Sequence, residues 1–130
     1  MSKVVIDAYA WIEYFNGTKL GEKVKEIVEN EDNNIITNVI TLAELASKFK
    51  RTGNDFENAK NLLLSLSSLD IINEYDAIET GNVHAEIKGK RKHFGLADAC
   101  VLFTAKKIGA KVVTGDEDFR GLKEVIFLKE

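Results

Sequence analysis

The chain has no proline, a single cysteine and no apolar run approaching the ~20 residues that cross a bilayer. One cysteine, Cys100, excludes an internal disulfide and suits a reducing compartment. The amino terminus carries one lysine before reaching Asp7, which is unlike a secretory signal. A cytoplasmic protein with no membrane association is therefore expected. Without proline, element boundaries must be read from glycine, asparagine and aspartate. Strong positive charge is also missing. A net charge of −3 and a pI near 5.5 argue against non-specific coating of nucleic acid, but leave room for a local basic strip. No repeat or low-complexity tract interrupts the 130 residues, so one domain over 1–130 is expected. That length buries roughly two thirds of the unfolded surface.

What is present is an alternation of short apolar runs with longer amphipathic stretches. Lys3–Ile6, Asn34–Thr37, "LDIINEY", Lys111–Thr114 and Glu124–Leu128 read as strands. Between them, "AYAWIEYFN" closes at Gly17, and "KLGEKVKEIVEN" sets Leu20, Val24, Ile27 and Val28 on one face. "TLAELASKFKR" reads as a helix with Thr41 and Glu44 in a capping box, and Asn54 with Glu57 suggests another. Helices follow over Asp76 to about Lys92 and over "LADACVLFTAKKIG". Nearly all-apolar strands alternating with helices imply an α/β three-layer sandwich, its sheet mostly parallel and covered on both faces.

In such sheets the ligand site lies beyond the carboxyl ends of the strands. Asp7 follows the first strand, Thr114 ends the fourth, and Asp116 and Asp118 lie in the turn beyond it. Glu44 sits in the helix entered from the second strand, and Asp98 opens the helix before the fourth. Each acid also has a structural explanation: Asp7 as a helix cap, Glu44 in its capping box, Asp98 facing a helix dipole, Asp118 capping a short helix through "FRGL". The joint placement is the signal. Two like charges ~5 Å apart repel by about 3 kcal/mol at an effective dielectric of 20. Four such acids would approach the whole stability of a domain, about 5–15 kcal/mol. They must hold protons or a cation, and oxygen-only donors select Mg²⁺ or Mn²⁺ over zinc.

The stretches "VVIDAYAWIEYF", "ITLAELASKF" and "GLADACVLFTAKKIGAKVVTGDEDFRGL" carry a resemblance running nearly end to end. The chain resembles the PIN-domain nucleases, and most closely the VapC-like toxins of toxin–antitoxin systems. That resemblance implies a five-stranded sheet ordered 3-2-1-4-5 and catalytic, metal-holding acids at Asp7, Glu44, Asp98 and Asp116. Asp118 would be an auxiliary acid and Thr114 the polar residue of the fourth strand. It further implies an Mg²⁺- or Mn²⁺-dependent endoribonuclease, a homodimer held inactive by a small antitoxin, and operator DNA bound only through that complex. A metal-activated water would attack the phosphodiester in line. The alternatives are a PIN-fold interaction module and a solitary RNA-processing nuclease. A phosphatase with an aspartyl nucleophile is disfavoured, because its second aspartate should come two residues after Asp7, where Tyr9 stands.

For the RNA, the strip "KGKRKHFG" offers Lys88, Lys90, Arg91 and Lys92 as phosphate contacts, or else a solvated helix end. His84 and His93 are given no catalytic role. Cys100 reads as a buried small hydrophobe, and Trp11 and Phe15 as core residues.

Overall fold

The computed structural model describes residues 2–129, so the expected unit of 1–130 extends one residue past them at each end. Along the chain run β1 (Lys3–Ile6), α1 (Ala8–Asn16), α2 (Lys19–Val28), β2 (Asn34–Asn38), α3 (Val39–Arg51) and α4 (Glu57–Leu66). They are followed by β3 (Ser68–Asp70), α5 (Glu74–Lys88), α6 (Leu96–Ile108), β4 (Lys111–Thr114), a 3₁₀ turn (Glu117–Phe119) and β5 (Val125–Phe127). Every strand pairing is parallel, and the order is β3-β2-β1-β4-β5. The expected α/β sandwich and its sheet order are thus what the chain adopts.

Strand periodicity divides the interior into two cores. Val4 and Ile6 of β1 pack with Ala10, Trp11, Val24, Val28, Leu45 and Leu63, under α1 to α4. Val5, between them, points the other way, to Phe94, Ala99, Leu102 and Ala105 under α5 and α6. Alternate residues of one strand feeding opposite cores is the period-2 geometry of a sheet buried on both faces. Trp11 is a core residue as expected: its ring stacks on Phe15 at 5.6 Å and its Nε1–H donates to Thr37 Oγ1 at 3.1 Å.

Helix α1 stops at Gly17, whose φ of 64° is the left-handed cap that a side chain resists. Helix α2 then folds back so closely that a Cβ built on Gly21 would lie 2.0 Å from the Glu13 carbonyl oxygen. Only glycine permits that approach.

Several local expectations are corrected. Helix α3 starts earlier than the Thr41–Glu44 pair suggests, because the Asn38 side chain caps it, accepting from the Ile40 N–H at 2.8 Å. Thr41 is an interior residue of the helix, fully buried, and its hydroxyl lacks a hydrogen-bond partner. Helix α4 begins at Glu57 rather than near Asn54; Asp55 accepts from the Glu57 N–H at 3.0 Å. The stretch after Leu69 yields only a short β3, because Asn73 and Asp76 form a capping box that starts α5. Cys100 is half-buried rather than fully buried, beside Thr80 where α5 meets α6.

One polar chain runs from the interior to the surface. Asn38 donates to Thr104 Oγ1 at 2.8 Å, and Thr104 donates to Asp70 at 3.0 Å. Lys107 then links Asp70 at 3.2 Å to Asp76 at 3.1 Å. This joins β2, β3, α5 and α6, and the bond between Asn38 and Thr104 is almost wholly buried, each residue being 1% exposed.

Candidate active site

The order of strands reverses between β1 and β4, and their carboxyl ends open the crevice typical of such a switch point. Asp7 caps α1 directly after β1, its Oδ1 accepting from the Ala10 N–H at 2.9 Å. Asp98 lies in the first turn of α6 and accepts from the Gly95 N–H at 2.8 Å. Asp116 caps the 3₁₀ turn, accepting from the Asp118 N–H at 2.9 Å, so Asp116 and not Asp118 is the cap there. Thr114, buried at the end of β4, accepts from the Asp116 N–H at 3.0 Å. These backbone bonds do not exclude a chemical role for the same acids. Each of the three carboxylates fixes a backbone N–H, and Asp7 is also hydrogen-bonded by Thr114.

Asp98, Asp116 and Asp118 each bring a carboxylate oxygen within 4.8 Å of the others. Asp118 is thus a full member of the cluster. Asp7 adjoins it, close enough that the charges of Asp116 and Asp98 act on its proton. Glu44 stands on the exposed rim, on α3, and makes no hydrogen bond among the described residues. Three close oxygen donors with no sulfur or imidazole among them fit a hard dication held by carboxylates and water.

The electrostatics follow from burial and repulsion. Asp7 is only 6% exposed. Desolvation, helped by the charges of Asp116 and Asp98 and opposed by hydrogen bonds from Thr114 and Ala10, pushes its pKa up to about 7. Glu44 and Asp98 are also held above the usual carboxylate range, first by desolvation and then by neighbouring acids. A coulombic contribution from His84 on α5 partly offsets this at Asp98.

A pH dependence follows for the metal-free protein. Between the ordinary 3.8 and about 7, the folded state keeps a proton on Asp7 that the unfolded state has released. Stability from this group is complete below the lower value and is lost as pH rises through the upper one, a loss on the order of a few kcal/mol. Melting in EDTA should therefore fall from pH 5 to pH 7.5 in the wild type and much less in Asp7→Asn. Parallel curves for the two proteins would contradict it.

The basic strip divides on inspection. Arg91 is half-buried and donates to the Asp118 backbone carbonyl at 3.0 Å, so it anchors the acidic turn. Lys88 donates to the Lys92 carbonyl, while Lys90 and Lys92 are exposed. Sequence reasoning gave no role to Tyr9, yet its ring lies so near the Gly115 backbone that a Cβ there would be 2.4 Å from Cε1. The only hint in the sequence is a tyrosine two residues after Asp7 and a glycine before Asp116.

The PIN domain family model matches residues 4–125. Among solved structures, a toxin–antitoxin complex from Klebsiella pneumoniae is 23% identical, with 98% of each chain covered and a TM-score of 0.74. VapC20 from Mycobacterium tuberculosis, described as a sarcin-ricin loop cleaving toxin, is 14% identical at a TM-score of 0.74, covering 92% of this chain and 95% of that one. VapBC2 from Rickettsia felis, bound to a DNA fragment from its promoter, is 18% identical at a TM-score of 0.73, with 96% of each chain covered. A search of curated proteins returned no significant match. Over almost its whole described length, the chain belongs to the PIN domain family.

Proposed function

We propose that the protein is a divalent-metal-dependent endoribonuclease, acting as the toxin of a toxin–antitoxin pair. The observation that carries this reading is the close set of Asp98, Asp116 and Asp118 oxygens beside Asp7 at the switch point. These carboxylates would hold Mg²⁺ or Mn²⁺, with Glu44 completing the acidic wall. A bound dication supplies an acidified water and neutralises charge on the phosphate oxygens. Asp7 and Asp98, tied to backbone amides, hold the donor set in place before substrate arrives. Thr114 and Arg91 fix the Asp116–Asp118 turn through its backbone. Glu44, free of such ties, is the group available to accept the proton from the attacking water.

The partners proposed are an RNA substrate, a small antitoxin and, only through that antitoxin, operator DNA; the structural neighbours include toxin–antitoxin complexes, one bound to a promoter DNA fragment and another DNA-bound. A homodimer has a candidate surface in Ile71, Tyr75 and Ile78, three large apolar side chains left exposed around the start of α5. Among the described residues no helix is long and apolar enough to cross a membrane, which agrees with a cytoplasmic site of action.

The reading is tested by incubating purified protein with single-stranded RNA and Mg²⁺ or Mn²⁺. Cleavage leaving 5′-phosphates, stopped by EDTA and absent in Asp7→Asn, is expected. Cleavage that persists in EDTA and in the variant would come from a contaminant, and intact RNA with every metal would end the proposal.

A further inference from the structure

A groove of about 600 Å³ runs away from the acids between α1 and α3, lined by Tyr9, Ile12, Ala43, Glu44, Lys48 and Arg51 among others. Tyr9 and Glu44 form its end beside the acids, so the groove is continuous with the site already described. We propose that this groove seats one nucleotide of single-stranded RNA next to the scissile phosphate, its base against the Tyr9 ring and its far phosphate on Lys48 and Arg51. The proposal rests on the nuclease reading and assigns the substrate a side of the site.

Three observations carry it. Tyr9 is 37% exposed and lines the groove although its ring is seated against the Gly115 backbone, so aromatic surface is offered to the groove in a fixed position. Glycine at 115 is what permits this seat, because any Cβ there would collide with the ring. The floor beyond it is apolar, made by Ile12 and Ala43, as suits the face of a base.

The third observation is charge. Lys48 and Arg51 stand one and two helical turns past Glu44, about 6 and 10 Å along the axis of α3. Neither is in an ion pair among the described residues, and Arg51 spends only its Nε–H, on Ser47 Oγ at 3.2 Å. Glu13, the acid on the facing helix, is turned to the Thr18 hydroxyl. A groove with carboxylates that would hold a dication at one end and two free cations at the other matches a base flanked by two phosphates. It matches a basic peptide less well, since that would meet Lys48 and Arg51. Bases must be unstacked from their neighbours to meet a side chain, which selects single strands over duplex.

The test uses short single-stranded RNA carrying 5-iodouridine at successive positions, with the full-length protein. Irradiation should crosslink one position to the Tyr9 peptide, read by mass spectrometry, whether or not the RNA is cut. In cleavage assays, Tyr9→Ala should raise KM by roughly 5- to 150-fold, the range expected for one base–aromatic stack, with a smaller effect on kcat. Tyr9→Phe, which keeps the ring, should restore KM. Lys48→Gln with Arg51→Gln should raise KM and lower the salt slope of binding by about 0.7, since both cations serve one phosphate on a single strand. Thermal melts identify any variant that fails to fold, in which case the crosslink alone decides. A crosslink elsewhere, or an unchanged KM in the Tyr9→Ala and double variants of an active enzyme, overturns the subsite and leaves the nuclease reading intact. A Tyr9 crosslink in a protein that never cuts RNA supports the subsite and sinks the nuclease reading. Loss of protein-partner binding with RNA affinity untouched would make the groove a protein-docking surface and overturn the proposal.

Discussion

Asp116→Asn is expected to lower RNA cleavage by roughly 10²–10³-fold, the scale seen when one preorganised electrostatic group is removed. The same change should make the metal-free protein more stable. It deletes one of three carboxylates whose oxygens lie within 4.8 Å of each other. Relief of that repulsion is worth about 1–2 kcal/mol once solvent screening of half-buried charges is allowed for. Metal should then act in the opposite sense on the two proteins. A dication at a hundred times its dissociation constant stabilises the wild type by about 2.7 kcal/mol, and the variant should gain much less. Activity lost while apo stability rises distinguishes a ligand residue from a folding residue, and melting curves with EDTA and with Mn²⁺ read it directly. A variant that melts lower than the wild type in EDTA would place Asp116 among the structural caps.

Gly21→Ala should be the most destabilising small substitution in the chain, by about 3–5 kcal/mol, at the upper end of what single replacements cost. The added methyl meets the Glu13 carbonyl oxygen at 2.0 Å and its carbon at 2.7 Å. Backbone cannot rotate aside as a side chain can, so α2 must move off α1 and reopen the core around Val24 and Trp11. Replacement at Gly81, a helical glycine with open space around it, is the control and should be tolerated. Urea denaturation of the two variants checks this: similar midpoints would mean that the helix pair slides apart at little cost.

The fold was legible because the strands are short, apolar and separated by amphipathic stretches, and because glycine marks two helix ends without ambiguity. Gly17 and Gly109 both carry the left-handed backbone that a stop requires. Caps were harder, because Ser, Thr, Asn and Asp compete within a few residues. Asn38, Thr41 and Glu44 all suit a helix start, and only burial decides: Asn38 is anchored from behind by Thr104, while Thr41 is drawn into the core. With Glu44 no longer needed as a capping partner, its place on the crevice rim has no local explanation. Similarly, the pair Asn73 and Asp76 shortens β3, a signal present in the sequence but outweighed by the apolar run before it. The acids were legible as positions and not as a shape. Which oxygen faces the backbone, and that Asp118 approaches Asp98, depends on contacts between segments twenty residues apart. Tyr9 was invisible for the same reason, since its meaning comes from Gly115.

The polar thread from buried Asn38 and Thr104 through half-buried Asp70 to exposed Lys107 has a consequence for how the molecule comes apart. Oil-like interiors on opposite sides of a sheet could in principle melt one after the other. Here the middle of α6 is riveted to the ends of two strands, so peeling that helix away strands polar groups in a dry setting. The layer of α5 and α6 is therefore expected to come away together with the sheet rather than ahead of it.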